Sequence, residues 1–163
     1  MKINLLLFSF FFTAFAACVS PPDYPIEPNI TFLSLSKNTM RQGQLGNEDS
    51  LFVTFSFTDG DGDLGNSGQA GKDSINIFLT DKRTNTPAEE RFRLPLVPEQ
   101  GAGNGISGEI TLLLFTTCCN VLPPCEPSTT KPIDTLVYEI YIKDRAGHSS
   151  NKIQTSPIYL QCK

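Results

Sequence analysis

Asp59-Gly60-Asp61-Gly62-Asp63 carries the densest chemistry in the chain. Three carboxylates at alternate positions repel one another and gain from a counter-ion. The glycines between them permit the backbone angles with which the run can curl around one hard cation. Calcium accepts about six to eight oxygens at roughly 2.3–2.6 Å, so the run can supply half of such a shell. Magnesium fits less well, because it demands tight octahedral geometry and keeps its waters. EF-hand spacing would make Asp59, Asp61 and Asp63 the first three ligands and would use Gly65 and Ser67 next. Leu64 then stands where that loop needs glycine, and Ala70 where it needs a bidentate glutamate, so the run is not an EF-hand. A metal-free turn is the competing reading, since Asp-Gly pairs form turns unaided.

The cysteines carry the second chemistry. Lys2 precedes an apolar stretch, Ile3 to Phe15, which is too short for the ~20 residues that a membrane-crossing helix needs. The stretch ends in Phe15-Ala16-Ala17-Cys18, with small residues ahead of a cysteine. It resembles the bacterial lipobox, with Phe15 where leucine is commoner. That resemblance implies a signal peptide over 1–17, lipid on Cys18 and membrane attachment through that lipid. Val19, not Asp, follows Cys18, so nothing resembles an inner-membrane retention signal. The outer membrane is the expected address, with either its periplasmic or its cell-surface face open. Cys118, Cys119, Cys125 and Cys162 then remain as an even set. Vicinal Cys118 and Cys119 point to opposite faces of a strand, so each should pair elsewhere. Cys119–Cys125 with Cys118–Cys162 is the preferred arrangement, because the nearer residue closes the short Pro-rich loop; the exchanged pairing is the alternative. A zinc site is disfavoured by the spacing and by the single histidine, His148.

These residues must be positioned by strands. Leu51, Val53, Phe55 and Phe57 alternate with Phe52, Thr54, Ser56 and Thr58; Ile75, Ile77 and Leu79 alternate likewise, as do Leu136, Tyr138, Ile140 and Ile142. Period two is the mark of a strand dry on one side and wet on the other. Residues 30–35, 91–96, 110–115 and 153–160 are weaker candidates, the last interrupted by Pro157. About seven strands and no helical periodicity predict an all-β, two-sheet sandwich over 30–163. Residues 18–29 contain Pro21, Pro22, Pro25 and Pro28 and form a semi-extended tether.

The run Tyr138-Glu139-Ile140-Tyr141-Ile142-Lys143-Asp144-Arg145-Ala146-Gly147-His148-Ser149 resembles the last hairpin of bacterial immunoglobulin-like and fibronectin type III-like domains, with His148 where asparagine is usual. Together with Phe57 to Gly65, it resembles the small lipoproteins of the Bacteroidota. The resemblance implies an immunoglobulin-like fold and an envelope address, not an activity. In that topology the acidic loop lies between the second and third strands and Asp144 at the hairpin of the last two, at one end of the sandwich. Asp73 and the start of the domain near Pro28 and Asn29 would share that end. Calcium there would be held by Asp59, Asp61, Asp63, Asp73 and Asp144, and would brace the domain where it meets its tether.

Other signals are weaker. Ser149 and Ser150 beside His148 do not make a triad. Gly101 to Gly105 does not link a strand to a helix as a phosphate-binding loop must. Tyr24, Phe92, Tyr141 and Tyr159 are candidates for a sugar-stacking surface. Asp49-Ser50-Leu51, Asp73-Ser74-Ile75 and Asp134-Thr135-Leu136 resemble Bacteroidota O-glycosylation acceptors, but these residues also belong where strands begin. The formal charge is −4, and −5 once Lys2 is removed, with no basic stripe, which argues against nucleic acid as a partner. The expectation is therefore a non-enzymatic binding or structural module of the envelope, with an envelope protein or polysaccharide as partner. A glycan-binding accessory protein is the first alternative, and a hydrolase using a metal-activated water is the second.

Overall fold

The computed structural model describes residues 23–43, 49–65, 75–88, 92–97, 105–119 and 125–163. The expected signal segment, Cys18 and Asp73 lie outside them, as do Ser67 and Ala70. The described residues are all-β, with ten strands and no helix: β1 (Asn29–Leu35), β2 (Thr39–Arg41), β3 (Ser50–Asp59), β4 (Ile77–Asp81), β5 (Thr86–Pro87), β6 (Ile106–Phe115), β7 (Ile133–Leu136), β8 (Tyr138–Ile142), β9 (Ile153–Gln154) and β10 (Ile158–Gln161). They form three sheets, in the orders β1-β3-β6, β2-β10-β7 and β5-β4-β8-β9.

The long strand β3 sets the frame. Its alternation buries Leu51, Val53, Phe55 and Phe57 and leaves Phe52 out. Each such buried side chain contributes about 1.5–3 kcal/mol relative to exposure. β3 pairs antiparallel with β6 along its whole length, from Ser50 opposite Phe115 to Asp59 opposite Ile106. The inward residues of β6 (Ile106, Ile110, Leu112 and Leu114) join the same core. A bulge in β1 between Phe32 and Ser34 turns Leu33 outward. From the other two sheets, Ile77, Leu79, Tyr138, Ile140 and Ile142 meet this core, with Leu136, Ile158, Leu160 and Met40.

Two breaks let one run of chain serve two sheets. β7 pairs with β10 and β8 with β4, and the change falls at Val137. Opposite it, Pro157 interrupts the run from β9 to β10, because proline has no N–H to give the ladder. Thr155 bridges the gap by donating its N–H to Tyr138 O, while its hydroxyl accepts the Tyr138 N–H. The strand expected over 153–160 is thus two short ones. That expected over 91–96 is reduced to an isolated bridge between Phe92 and Ile77, and Asn76 holds the following Leu94 backbone through both atoms of its amide. Strands β2 and β5 were not expected; three and two residues are too few to show a period.

Both disulfides form, with the exchanged pairing: Cys118–Cys125 and Cys119–Cys162. The preference for Cys119–Cys125 is corrected. Cys162 continues the inward positions Ile158 and Leu160 of β10 and is fully buried, so its partner must be the vicinal cysteine that faces the core. That residue is Cys119, a member of the core cluster. One residue more or less in the short loop changes closure entropy negligibly, so core facing decides.

Candidate metal loop

The alternation that builds β3 places Asp59 two residues beyond Phe57 on the same inward face. Its side chain is 0% exposed, and neither carboxylate oxygen has a hydrogen-bond partner. Oδ1 of Asp63 is buried and unpartnered too. Buried polar atoms are nearly always paired, and a buried carboxylate without a partner is costly. Desolvation pushes the Asp59 pKa up to about 6, with the charges of Asp61 and Asp63 adding to it. The Asp63 amide opposes the shift without reaching hydrogen-bond geometry, and Asp144 adds a smaller push upward. Asp63 is raised as well, first by burial, then by Asp144 and Asp61, against the pull of the Ala146 amide and the Arg145 charge.

One carboxylate oxygen from each of Asp59, Asp61 and Asp63 lies within 4.8 Å of the other two. Asp61 is the exposed member, so the group opens to solvent on one side. Gly62 adopts a φ of 71°, a conformation L side chains rarely take, and this turns the loop back between Asp61 and Asp63. Gly60 matters for another reason. A Cβ there would lie 2.2 Å from the carbonyl oxygen of Tyr24 and 2.6 Å from that of Pro25. The backbone leading into the domain is therefore seated directly on the acidic loop, a contact for which the sequence gives no signal beyond the glycine itself.

The structure brings the turn after β8 to the same place. Arg145 N donates to Asp63 O at 3.3 Å and Ala146 N to Asp63 Oδ2 at 3.0 Å. The Arg145 guanidinium donates to the carbonyls of Leu64 and Gly65 at 3.4 Å each. Asp144, however, is committed to its own turn. Its Oδ1 accepts the N–H groups of Gly147 at 2.6 Å and His148 at 2.8 Å, and its Oδ2 is 2.8 Å from His148 Nδ1. Of the five expected ligands, three converge, Asp144 acts on them through its charge, and Asp73 lies outside the described residues.

His148 is held by Asp144, whose hydrogen bond and charge raise its pKa. Ser150 is turned to other partners: its buried hydroxyl accepts from Ile142 N and donates to Asn151 O. Among the candidate sugar-stacking rings, Tyr141 stacks on Phe78 with centroids 4.7 Å apart. Lys143 caps the Phe78 ring and Lys152 the Tyr141 ring, each 5.8 Å from the centroid. Each ring of that pair is thus already engaged by a second ring and by a cation.

A second polar cluster escaped the sequence reading. Arg83 donates to both oxygens of Asp81, to Asp134 at 2.7 Å and to Cys118 O at 3.1 Å. Lys131 also pairs with Asp134. Burial alone would raise the Asp134 pKa, but Lys131 and Arg83 outweigh it and hold the carboxyl below its usual value. The signal was present: Asp81 and Asp134 occupy inward positions of β4 and β7. Unlike Asp59, these buried acids have cations, so the cluster is a structural tie. Comparison with protein-family models, with curated proteins and with solved structures finds no match to this chain.

Proposed function

We propose that the chain is a lipid-anchored envelope module, non-enzymatic, whose β-domain is braced by a calcium ion in the 59–63 loop. The single observation that carries the reading is Asp59, a fully buried carboxylate with no protein partner beside two further carboxylates. A divalent cation supplies the missing partner and offsets the mutual repulsion. Asp59, Asp61 and Asp63 would be its protein ligands, with water at the open side. Calcium suits this all-oxygen, partly solvated set because it tolerates irregular shells.

On this reading the domain is an immunoglobulin-like sandwich. The sheet β1-β3-β6 forms one layer, and the other two sheets are halves of a second layer broken at Val137 and Pro157. The anchor is Cys18, and the address is the outer membrane, on its periplasmic or cell-surface face. The role is structural or binding, toward an envelope protein or polysaccharide. Replacement Cys18→Ser should move the chain from the membrane fraction to the soluble envelope fraction. Retention in the membrane would overturn the anchor. Turnover of any substrate that Asp61→Ala abolishes would overturn the non-enzymatic reading in favour of metal-dependent hydrolysis.

A further inference from the structure

The acidic loop touches two parts of the chain that are far apart in sequence. Asp63 carries the 144–148 turn through the Arg145 and Ala146 amides, and Gly60 carries the Tyr24–Pro25 backbone. Just beyond that backbone, Glu27 lies close enough to His148 to act on its charge. Asn151 then clasps β1, accepting from Ile30 N at 2.7 Å and donating to Ile30 O at 2.9 Å. The chain entering the domain is thus fixed from residue 30 by Asn151, whereas residues 24 and 25 rest on the bare Cα of Gly60. Gly60 lies between two of the three converging carboxylates, so their spacing sets where that Cα sits.

We propose that cation loading of Asp59, Asp61 and Asp63 is coupled to docking of the Tyr24–Pro25 segment on Gly60, so that the metal fixes the direction in which the tether leaves the domain. The inference rests on the calcium reading above. Without the ion, Asp59, Asp61 and Asp63 repel one another and the curl opens, carrying Gly60 away from Tyr24 O and Pro25 O. With it, the curl closes and the segment seats. The coupling is reciprocal: a seated tether must tighten the ion by the factor with which the ion seats the tether.

The test uses the chain from residue 19, which retains every described residue. The order of the Ile26 and Glu27 amides is followed by 15N relaxation with and without calcium, beside calorimetric titration of the same sample. Their order parameters should rise with calcium, from below about 0.6 toward about 0.85. In Gly60→Ala, whose Cβ cannot coexist with the seated carbonyls, calcium should still bind, more weakly, and order at residues 26 and 27 should no longer respond. Should Gly60→Ala fail to fold, Asp61→Asn at the exposed ligand gives the second arm: low order, insensitive to calcium. Calcium binding in calorimetry with unchanged order at residues 26 and 27 overturns the coupling and leaves the metal reading standing. No binding heat and no change in order overturn both.

Discussion

Ionisation of Asp59 should make the metal-free domain less stable as pH rises, and calcium should cancel that share of the trend. The carboxyl is fully buried with a folded pKa of about 6, against the 3.8 of a free aspartate. A group raised on folding contributes its stability below the unfolded value, and that contribution is lost as pH climbs through the folded one. At 1.36 kcal/mol per unit the whole displacement is worth about 3 kcal/mol, of which roughly 1.4 kcal/mol is lost between pH 5 and pH 8. His148, also raised, pushes in the same direction, so the Asp59 share must be isolated by mutation. Asp49, Asp134 and Glu139 are lowered and lose their contributions only at more acid pH. The assay is urea unfolding at pH 5 and pH 8, in chelator and in calcium, for the wild type and Asp59→Asn. In chelator the wild type should lose about 1.4 kcal/mol more than Asp59→Asn over that interval. Calcium at a hundred times Kd adds about 2.7 kcal/mol at pH 8 but, in competition with the proton on Asp59, only about 1.4 kcal/mol at pH 5, so it should cancel the Asp59 share of the slope. Equal pH slopes for the wild type and Asp59→Asn in chelator would show that Asp59 carries no raised pKa in the folded domain.

Two further predictions concern the frame. Replacing Cys119 and Cys162 by serine opens a bridge spanning 43 residues and should cost about 4 kcal/mol, whereas loss of Cys118–Cys125, spanning seven, should cost nearer 2.5 kcal/mol. Denaturant midpoints of the two double mutants check the order. Arg83→Met leaves Asp81 and Asp134 buried beside an apolar side chain and should destabilise by about 3–5 kcal/mol. Arg83→Lys should recover only part of this, because one ammonium cannot reproduce the fork that grips Asp81 while reaching Asp134; thermal melts give the comparison.

The strands were legible wherever alternation ran far enough. Leu51 to Phe57 and Tyr138 to Ile142 reveal their buried faces unaided, and extending the first pattern by two residues already places Asp59 on the core side. That extension separates a solvated acidic turn from a buried carboxylate lacking a partner. Likewise, the inward parity of Ile158 and Leu160 carries to Cys162, but parity on the other side is lost after β6 ends at Phe115, so the pairing of Cys118 and Cys119 was not readable. The meeting of the 144–148 turn with the acidic loop was the expectation drawn from an assumed sandwich order, and the Arg145 and Ala146 amides do reach Asp63. The engagement of Asp144 with its own turn was not part of it, because Gly147 and His148 N–H groups compete for its carboxylate only in the folded backbone. The docking of Tyr24 and Pro25 on Gly60 had no periodic signal, since a long-range backbone contact leaves only an absent side chain in the sequence.

Calorimetric titration of the chain from residue 19 with calcium at neutral pH, wild type beside Asp61→Ala, decides whether the acidic loop holds an ion. Asp61 is the exposed member of the trio, so its loss removes a ligand without disturbing the core. Saturable binding at one site is expected in the wild type, with a matching rise in melting temperature, and loss of both in Asp61→Ala. Absence of heat and of any melting shift at millimolar calcium would contradict the calcium reading and reduce the acidic run to a turn.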